Sequence, residues 1–131
     1  MSEFLKSLGV SASGLKAQSQ RLRHVAENIA NADTPGYRRK TIPFNTVFDG
    51  NHDGVGRVET GKVSLDRSDL DKVFDPTHPM ADETGHYQGS NVDLIIEIAD
   101  AREAQRSYEA NLKMFDQARQ MSQGLLDLLR R

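Results

Sequence analysis

Histidines are the residues of this sequence with the widest chemical range, as metal ligands or as acid–base groups. The four are His24, His52, His78 and His86, and His52 stands next to Asp53. Metal and hydrolytic sites place such groups at set spacings, for example two histidines four residues apart on one helix. The four histidines show no such spacing, so we interpret them as solvated side chains and predict neither a metal nor a cofactor.

Two carboxylate pairs, Asp69/Asp71 and Asp82/Glu83, have the residue types of a general acid and a general base. That chemistry needs an apolar pocket that separates the two pKa values. The surrounding sequence is polar, so we interpret both pairs as solvated. We predict that the chain is not an enzyme and has no small-molecule substrate. A small hydrolase using histidine and aspartate is the alternative, and it lacks a nucleophile motif.

Phosphate binding has two candidates, a Gly54-x-Gly56 pair and the basic triplet Arg38-Arg39-Lys40. No Gly-Lys-Ser/Thr follows the glycines, as a phosphate loop requires. The net charge is −2, distributed as +4 over residues 1–40, −5 over 41–90 and −1 over 91–131. With an acidic segment after it, the triplet is interpreted as a subunit contact or solvated charge. We predict no nucleic-acid partner.

The longest element that the sequence predicts is a helix over residues 91–131, which Ser90 or Asn91 can cap. Its apolar residues recur at steps of three, four and seven, so they share one side of the helix. Such a helix is a rod of roughly 60 Å, which needs a long partner and favours a coiled coil. The predicted contact residues are Leu94, Ile98, Tyr108, Leu112, Phe115 and Leu126.

A second helix is predicted over residues 4–31, with a lighter apolar seam in which Ala and Ser fill many positions. Its contact residues stand seven apart, at Leu8, Leu15, Leu22 and Ile29. We predict a mainly α fold in which the two terminal helices pack as an antiparallel coiled-coil hairpin. The periodicity alone leaves open whether the stripes serve that hairpin, packing between subunits, or both.

The middle of the chain is predicted to be irregular with short strands. The apolar alternation at Val58, Val63 and Leu65 predicts a hairpin over 56–66 that turns at Thr60-Gly61. Residues 75–91 are predicted to be an irregular, polar connection. The expected divisions are 1–36, the N-terminal helix and a turn; 37–90, the middle segment; and 91–131, the C-terminal helix. Both ends are expected to form one assembly domain.

A turn motif ends the first helix and carries a resemblance to a known family. Pro35-Gly36 suits a tight turn, since Pro fixes φ and Gly supplies a positive φ. The motif residues are Asn31, Thr34, Pro35, Gly36 and Tyr37. They resemble the Ala-Asn-x-x-Thr-Pro-Gly-Tyr signature of the axial proteins of the bacterial flagellum, the rod and hook family.

Three further stretches resemble one proximal rod subunit within that family. They are Asp75 to Asp82, Gly85 to Tyr87 with Asn91-Val92 after it, and Arg106 to Asn111, the last with the pattern Arg-Ser-Tyr-x-Ala-Asn. The shortness of the chain also fits this subunit, because the hook and distal rod proteins of the family carry larger central insertions. The resemblance covers both ends of the chain and the linker before the last helix, while residues 41–74 match only loosely.

The resemblance implies a structural subunit of the rod, the shaft that crosses the periplasm and transmits torque from motor to hook. Its implied partners are other copies of itself, other rod proteins, the membrane ring at the rod base and the flagellar type III export apparatus. Phe4 and Leu8 are similar to the export element of such substrates. We expect export without a cleaved signal peptide. The alternatives are a cytosolic coiled-coil adaptor and another rod protein of the same family.

Overall fold

Two long helices at the ends of the chain, joined by short strands, form the fold. The structure is a computed structural model that describes residues 2–48, Gly50 and residues 56–130. Helix α1 is Ser2–Ala30 and helix α2 is Leu94–Leu129. The strands are β1 Lys40–Thr41, β2 Phe44–Phe48, β3 Gly56–Thr60, β4 Ser64–Leu65, β5 Lys72–Phe74 and β6 His86–Gln88. The predicted mainly α class, with both terminal helices and a middle of small strands, is confirmed.

Helices α1 and α2 contact each other with their chain directions opposed. Close to the middle of α1, a Cβ atom built on Gly14 would lie 2.8 Å from the side-chain nitrogen of Asn111. Near the end of α1, the Asn28 amide lies 3.3 Å from the Glu97 carboxylate. Residue numbers rise along α1 from Gly14 to Asn28, while those of the contacting residues in α2 fall from Asn111 to Glu97. Helix α2 therefore runs back along α1.

The core between the helices is built from small side chains. Among the described residues, the buried hydrophobic ones are Ala17, Val25, Ala104 and Ala118. Small residues allow two helices to approach closely, but each buries little apolar area. The free energy that this core contributes to folding is therefore small for helices of this length.

Helix α2 begins later than predicted, and its cap is neither Ser90 nor Asn91. The Asp93 side chain accepts a hydrogen bond from the Ile95 N–H at 3.0 Å and caps the helix. The Ser90 hydroxyl donates instead to the Ala32 carbonyl. The side-chain carbonyl of Asn91 accepts from the backbone N–H of Arg39. Both side chains are occupied by tertiary contacts that the local sequence does not reveal.

The six strands form three two-stranded antiparallel sheets: β1 with β4, β2 with β3, and β5 with β6. The predicted hairpin over 56–66 is wrong. Strand β3 pairs with β2, where Phe44 faces Thr60, and β4 pairs with β1, where Lys40 faces Leu65. Apolar alternation identifies a half-buried strand but not its partner, and residues 40–48 supply that partner here.

The connection over 75–91 is more ordered than predicted. Its end, His86–Gln88, pairs with β5, and Phe74 faces His86 across the ladder. Gly85 has a φ of 82°, which leads the chain into β6. Asp75 and Asp82 shape the loop between the strands by accepting hydrogen bonds from Thr77 and Thr84.

Neither α1 nor α2, nor any other helix within residues 2–48, 50 and 56–130, is long and apolar enough to cross a membrane.

Candidate assembly surfaces and the polar clamp

The motif turn is a four-residue turn from Thr34 to Tyr37. The Tyr37 N–H donates to the Thr34 carbonyl at 3.1 Å, and Gly36 has a φ of 75°. Pro at the second position and positive-φ Gly at the third are the features of a type II turn. Asn31 braces the turn, since its side-chain carbonyl accepts from the Thr34 hydroxyl at 3.1 Å.

The linker before α2 docks on this turn through the backbone. The Gly36 N–H lies 3.2 Å from the Gln88 carbonyl and 3.1 Å from that of Gly89. The buried Ser90 hydroxyl donates to the carbonyl of Ala32. These bonds hold the end of α1 beside the start of α2, so the turn sets how the two helices enter their contact.

Asn28 is the centre of a buried polar network that the sequence did not predict. Its side-chain carbonyl accepts from the Tyr37 hydroxyl and from the Lys40 N–H, both at 2.9 Å. Its amide group donates to the Lys40 carbonyl at 3.0 Å and to Glu97 at 3.3 Å. We call Asn28, Tyr37, Arg39, Lys40 and Glu97 the polar clamp.

Glu97 is fully buried in α2 and forms an ion pair with Arg39. The Arg39 guanidinium also lies 2.9 Å from the Asp100 carboxylate. Burial acts to lower the pKa of Arg39, but the hydrogen bond to Glu97 and the charges of Glu97 and Asp100 outweigh it and raise that pKa. A buried carboxylate is tolerated when it is paired and hydrogen-bonded in this way.

Lys40 extends the polar clamp to a further residue of α1 through an ion pair. Its ammonium lies 2.7 Å from Glu27 in α1, and this hydrogen bond lowers the pKa of Glu27 and raises that of Lys40. Arg38 donates to the backbone carbonyls of Asp66 and Ser68 at 3.2 and 2.9 Å.

The interpretation of Arg38-Arg39-Lys40 as plain solvated charge is therefore wrong, because all three side chains bind other parts of the same chain, while the alternative of a subunit contact stays a prediction. The triplet lies between the motif turn and the start of α2, so its partners come from distant positions. Because those partners are distant along the sequence, the spacing of residues could not predict them.

The structure divides the ten predicted assembly residues into two groups. Half-buried are Leu8, Leu15, Leu22, Tyr108 and Phe115. Exposed are Ile29, Leu94, Ile98, Leu112 and Leu126. Phe4, of the predicted export element, is half-buried as well.

Three of the middle-segment groups that could bind a metal, Asp75, His78 and Asp82, make local structural contacts. His78 stacks on Tyr87 with ring centroids 3.9 Å apart. Hydrogen bonds from Thr77 and Thr84 lower the pKa values of Asp75 and Asp82 respectively. No group of three or more metal-ligating side chains occurs within the described part of the chain. The predictions for His52, Asp53 and Gly54 lie outside the described residues.

The accessible surface of the chain is large for its mass. It measures 9495 Å² at 14.6 kDa, whereas a compact monomer of that mass exposes about 6,900 Å². Twenty of the described large hydrophobic side chains are exposed. Apolar surface on this scale is typical of a chain that packs against further subunits.

Both helical ends of the chain match family models. Residues 8–38 match the model described as flagella basal body rod protein. Residues 83–128 match the model of the C-terminal region of flagellar basal body rod FlgEFG proteins. The class of protein that the fold and the motif turn define is thus a flagellar rod protein.

Curated relatives match along almost the whole chain. The flagellar basal-body rod protein FlgC of Agrobacterium fabrum is 47% identical over 92% of this chain and 91% of its own length. FlgC of Bacillus subtilis is 34% identical, covering 93% and 95% of the two chains. FlgC of Salmonella typhimurium is 32% identical, covering 89% and 91%. The chain belongs to the FlgC family of flagellar basal-body rod proteins, as the resemblance implied.

Membership of this family makes the chain a structural subunit of the flagellar basal-body rod. Its relatives are rod proteins rather than enzymes. The subunit assembles with other rod components in the basal body, which favours the rod over a cytosolic adaptor.

Proposed function

We propose that this subunit polymerises through its terminal helices into the proximal rod, the shaft that transmits torque from motor to hook. The observation that carries the proposal is the unburied surface: the accessible area exceeds that of a compact monomer by more than a third. Many apolar helix faces packed side by side resist shear together, which is the mechanical demand on a shaft.

The assembling unit in this proposal is an antiparallel coiled-coil hairpin of α1 and α2. The opposite order of contacts along the helices and the heptad spacing of both sequences support it. Residues 1–36 and 91–131 form one assembly domain, and residues 37–90 pack on it. The polar clamp fixes the register of the two helices, because Asn28 and Glu97 find their hydrogen-bond partners in one alignment only.

Export belongs to the same proposal. The subunit leaves the cell through the flagellar type III apparatus without signal cleavage, and the first turns of α1 with Phe4 and Leu8 are the element that the apparatus binds. In the assembled state the rod contacts the membrane ring at its base. Half-burial of both side chains means that α1 must detach from α2 before export, which a small core permits.

Substitution of four predicted contact residues of α2, which we call the apolar stripe, tests the function. Changing Leu94, Ile98, Leu112 and Phe115 together to Asp should prevent rod assembly while export continues, because charges then replace the apolar contacts between subunits. Assembly is scored by motility and by the rod in purified basal bodies, and export by the amount of subunit released.

The matched control places three Asp residues elsewhere on α2 and is compared with the three-residue variant described next. The exposed positions used are Ala110, Gln117 and Gln120, each changed to Asp. A second variant leaves the half-buried Phe115 intact and changes only Leu94, Ile98 and Leu112, so that loss of assembly is separated from loss of folding. Normal rods from that variant would contradict the proposed stripe.

A further inference from the structure

Helix α2 exposes an apolar surface at its beginning. Leu94, Ile95, Ile96 and Ile98 are all exposed, with Ile95 at 80%. Beside them lies a shallow groove of about 530 Å³, and we call it the α2 groove. Its lining residues are Ile95, Ile98, Ala99, Arg102, Glu103 and Arg106.

The other end of α2 is apolar as well. Every residue from Gln123 to Arg130 is exposed, and we call this segment the α2 tail. It contains four leucines, of which Leu129 is the most exposed at 78%. The charged residues of the tail are Asp127 and Arg130.

We propose that the α2 tail of one subunit docks in the α2 groove of a second copy. This contact rests on the proposed self-assembly and names the surfaces that carry one of its steps. Leucines of the tail cover Ile95 and Ile98, which the isolated chain leaves in water. The charges can pair across the contact: Asp127 of the tail with Arg102 or Arg106 of the groove, and Arg130 of the tail with Glu103 of the groove.

The geometry of α2 requires that the tail and the groove come from different subunits. Ile98 and Leu128 lie on one continuous helix, about 45 Å apart at 1.5 Å per residue. A contact between two different patches on the same molecule is heterologous, so it continues from copy to copy and gives an open helical chain when the rotation does not close into a ring. Open growth of this kind suits a shaft, whereas a two-fold contact would stop at a dimer.

The chain contains no cysteine, so introduced cysteines give an unambiguous test of proximity. Ala99→Cys places a thiol in the groove and Leu128→Cys places one in the tail. The two full-length proteins, purified separately and distinguished by mass, are mixed under mild oxidation. Covalent trapping is needed because two helical turns bury less than the roughly 1,200 Å² of a stable interface.

The expected result is a groove-to-tail disulfide in excess of random pairing between the two thiols. Ser19→Cys, on the exposed face of α1, replaces the groove thiol in the control. Pairing of Ser19→Cys with the tail as efficient as that of Ala99→Cys would overturn the proposal. So would a predominance of tail-to-tail disulfides, which would indicate a two-fold contact.

A charge exchange gives a second readout that does not depend on thiol reactivity. Arg102→Glu in the groove protein should lower the yield of the groove-to-tail disulfide by about two- to fivefold, the effect of one exposed ion pair. Asp127→Lys in the tail protein should restore it. Failure of the exchange to restore the yield would contradict the assigned orientation.

The groove test and the stripe test fail separately. If the stripe variant blocks rod assembly but the thiols do not pair, self-assembly stands and the tail binds the corresponding region of a different rod protein, which overturns the choice of a second copy. If the thiols pair but the stripe variant builds normal rods, the two surfaces meet in solution, but the groove contact is not a step of rod assembly, because the variant carries Asp at Ile98 of the groove.

Discussion

Two buried polar residues, Asn28 and Glu97, contact each other where the end of α1 meets the start of α2. Each is buried only because the segment after the motif turn supplies partners: Tyr37 and Lys40 for Asn28, and Arg39 for Glu97. The sequence offered one indirect signal, the basic triplet directly after the turn. It could not be interpreted without knowing that the turn directs this triplet toward α2.

Removal of the Glu97 charge should destabilise the hairpin strongly. Glu97→Gln puts a neutral amide beside the Arg39 guanidinium, which keeps Asp100 at 2.9 Å, so we expect the loss of one charged hydrogen bond, about 1.5–3 kcal/mol. The free energy of unfolding is measured by urea titration of the helical circular dichroism signal, in an osmolyte that favours the folded hairpin.

Glu103→Gln is the control, since Glu103 is exposed and lies 3.6 Å from Arg21. Loss of such a surface pair costs at most about 1 kcal/mol. Equal effects of the two substitutions would mean that the clamp contributes no more than an ordinary surface pair.

The motif glycine should be sensitive to a single methyl group. Gly36→Ala forces a side chain into a backbone with φ 75°, which costs about 1–2 kcal/mol. Gly9→Ala is the opposite case: the glycine lies inside α1, a Cβ there meets nothing within 4 Å, and alanine favours the helix by about 1 kcal/mol. Thermal unfolding should therefore shift downward for the first variant and upward for the second.

At the scale of elements, local sequence signals were sufficient for the helices and insufficient for the sheets. Apolar periodicity and Pro35-Gly36 are properties of neighbouring residues, and they predicted α1, α2 and the turn between helix and strand correctly. Strand pairing is set by contacts across the chain. Val58 shows the same alternation whether its partner is Val63 or Thr46, and the structure pairs it with Thr46.

The same contrast between local signals and long-range contacts explains why half of the predicted assembly residues are exposed. Heptad spacing places Leu94 and Leu112 on one face of α2, but spacing cannot decide which face meets α1. Small residues, chiefly Ala104 and Ala118, take that contact, because they let the helices approach closely. The larger side chains remain exposed, and we expect other subunits to cover them.

The stability of these elements should depend on pH in a defined way. Hydrogen bonds lower the pKa of Glu27 from 4.5, and those of Asp75 and Asp82 from 3.8. Groups with depressed pKa values stabilise the fold above their unfolded pKa, and the contribution is lost as pH falls. The pKa of Lys40 is raised from 10.5, so its contribution is present below that value and is lost at higher pH.

Urea midpoints should therefore be constant between about pH 6 and pH 9 and fall on both sides. Asp82→Asn and Asp75→Asn together should reduce the decline below pH 4.5, because those carboxylates then no longer titrate. An unchanged acid decline in this double variant would show that other carboxylates cause it. Lys40→Met should likewise reduce the decline at alkaline pH.

At the scale of the whole molecule, the subunit is a long hairpin whose stability depends on its neighbours. Four small or medium hydrophobic side chains form the described buried core, while twenty large ones are exposed. A core of this size offsets little of the conformational entropy lost when two helices of 29 and 36 residues order. Assembly supplies the missing apolar burial, so folding and polymerisation should be coupled.

Coupling predicts that the isolated subunit is only partly helical. Dilute monomer should show less helix by circular dichroism at 222 nm than helices of 29 and 36 residues would give, because isolated helices are marginal in water. Helicity should rise with subunit concentration and with an excluded osmolyte, both of which favour burial. Glu97→Gln should need more osmolyte than Glu103→Gln to reach the same signal. A monomer that is fully helical at high dilution and unfolds in one cooperative transition would mean that the hairpin is complete without its neighbours.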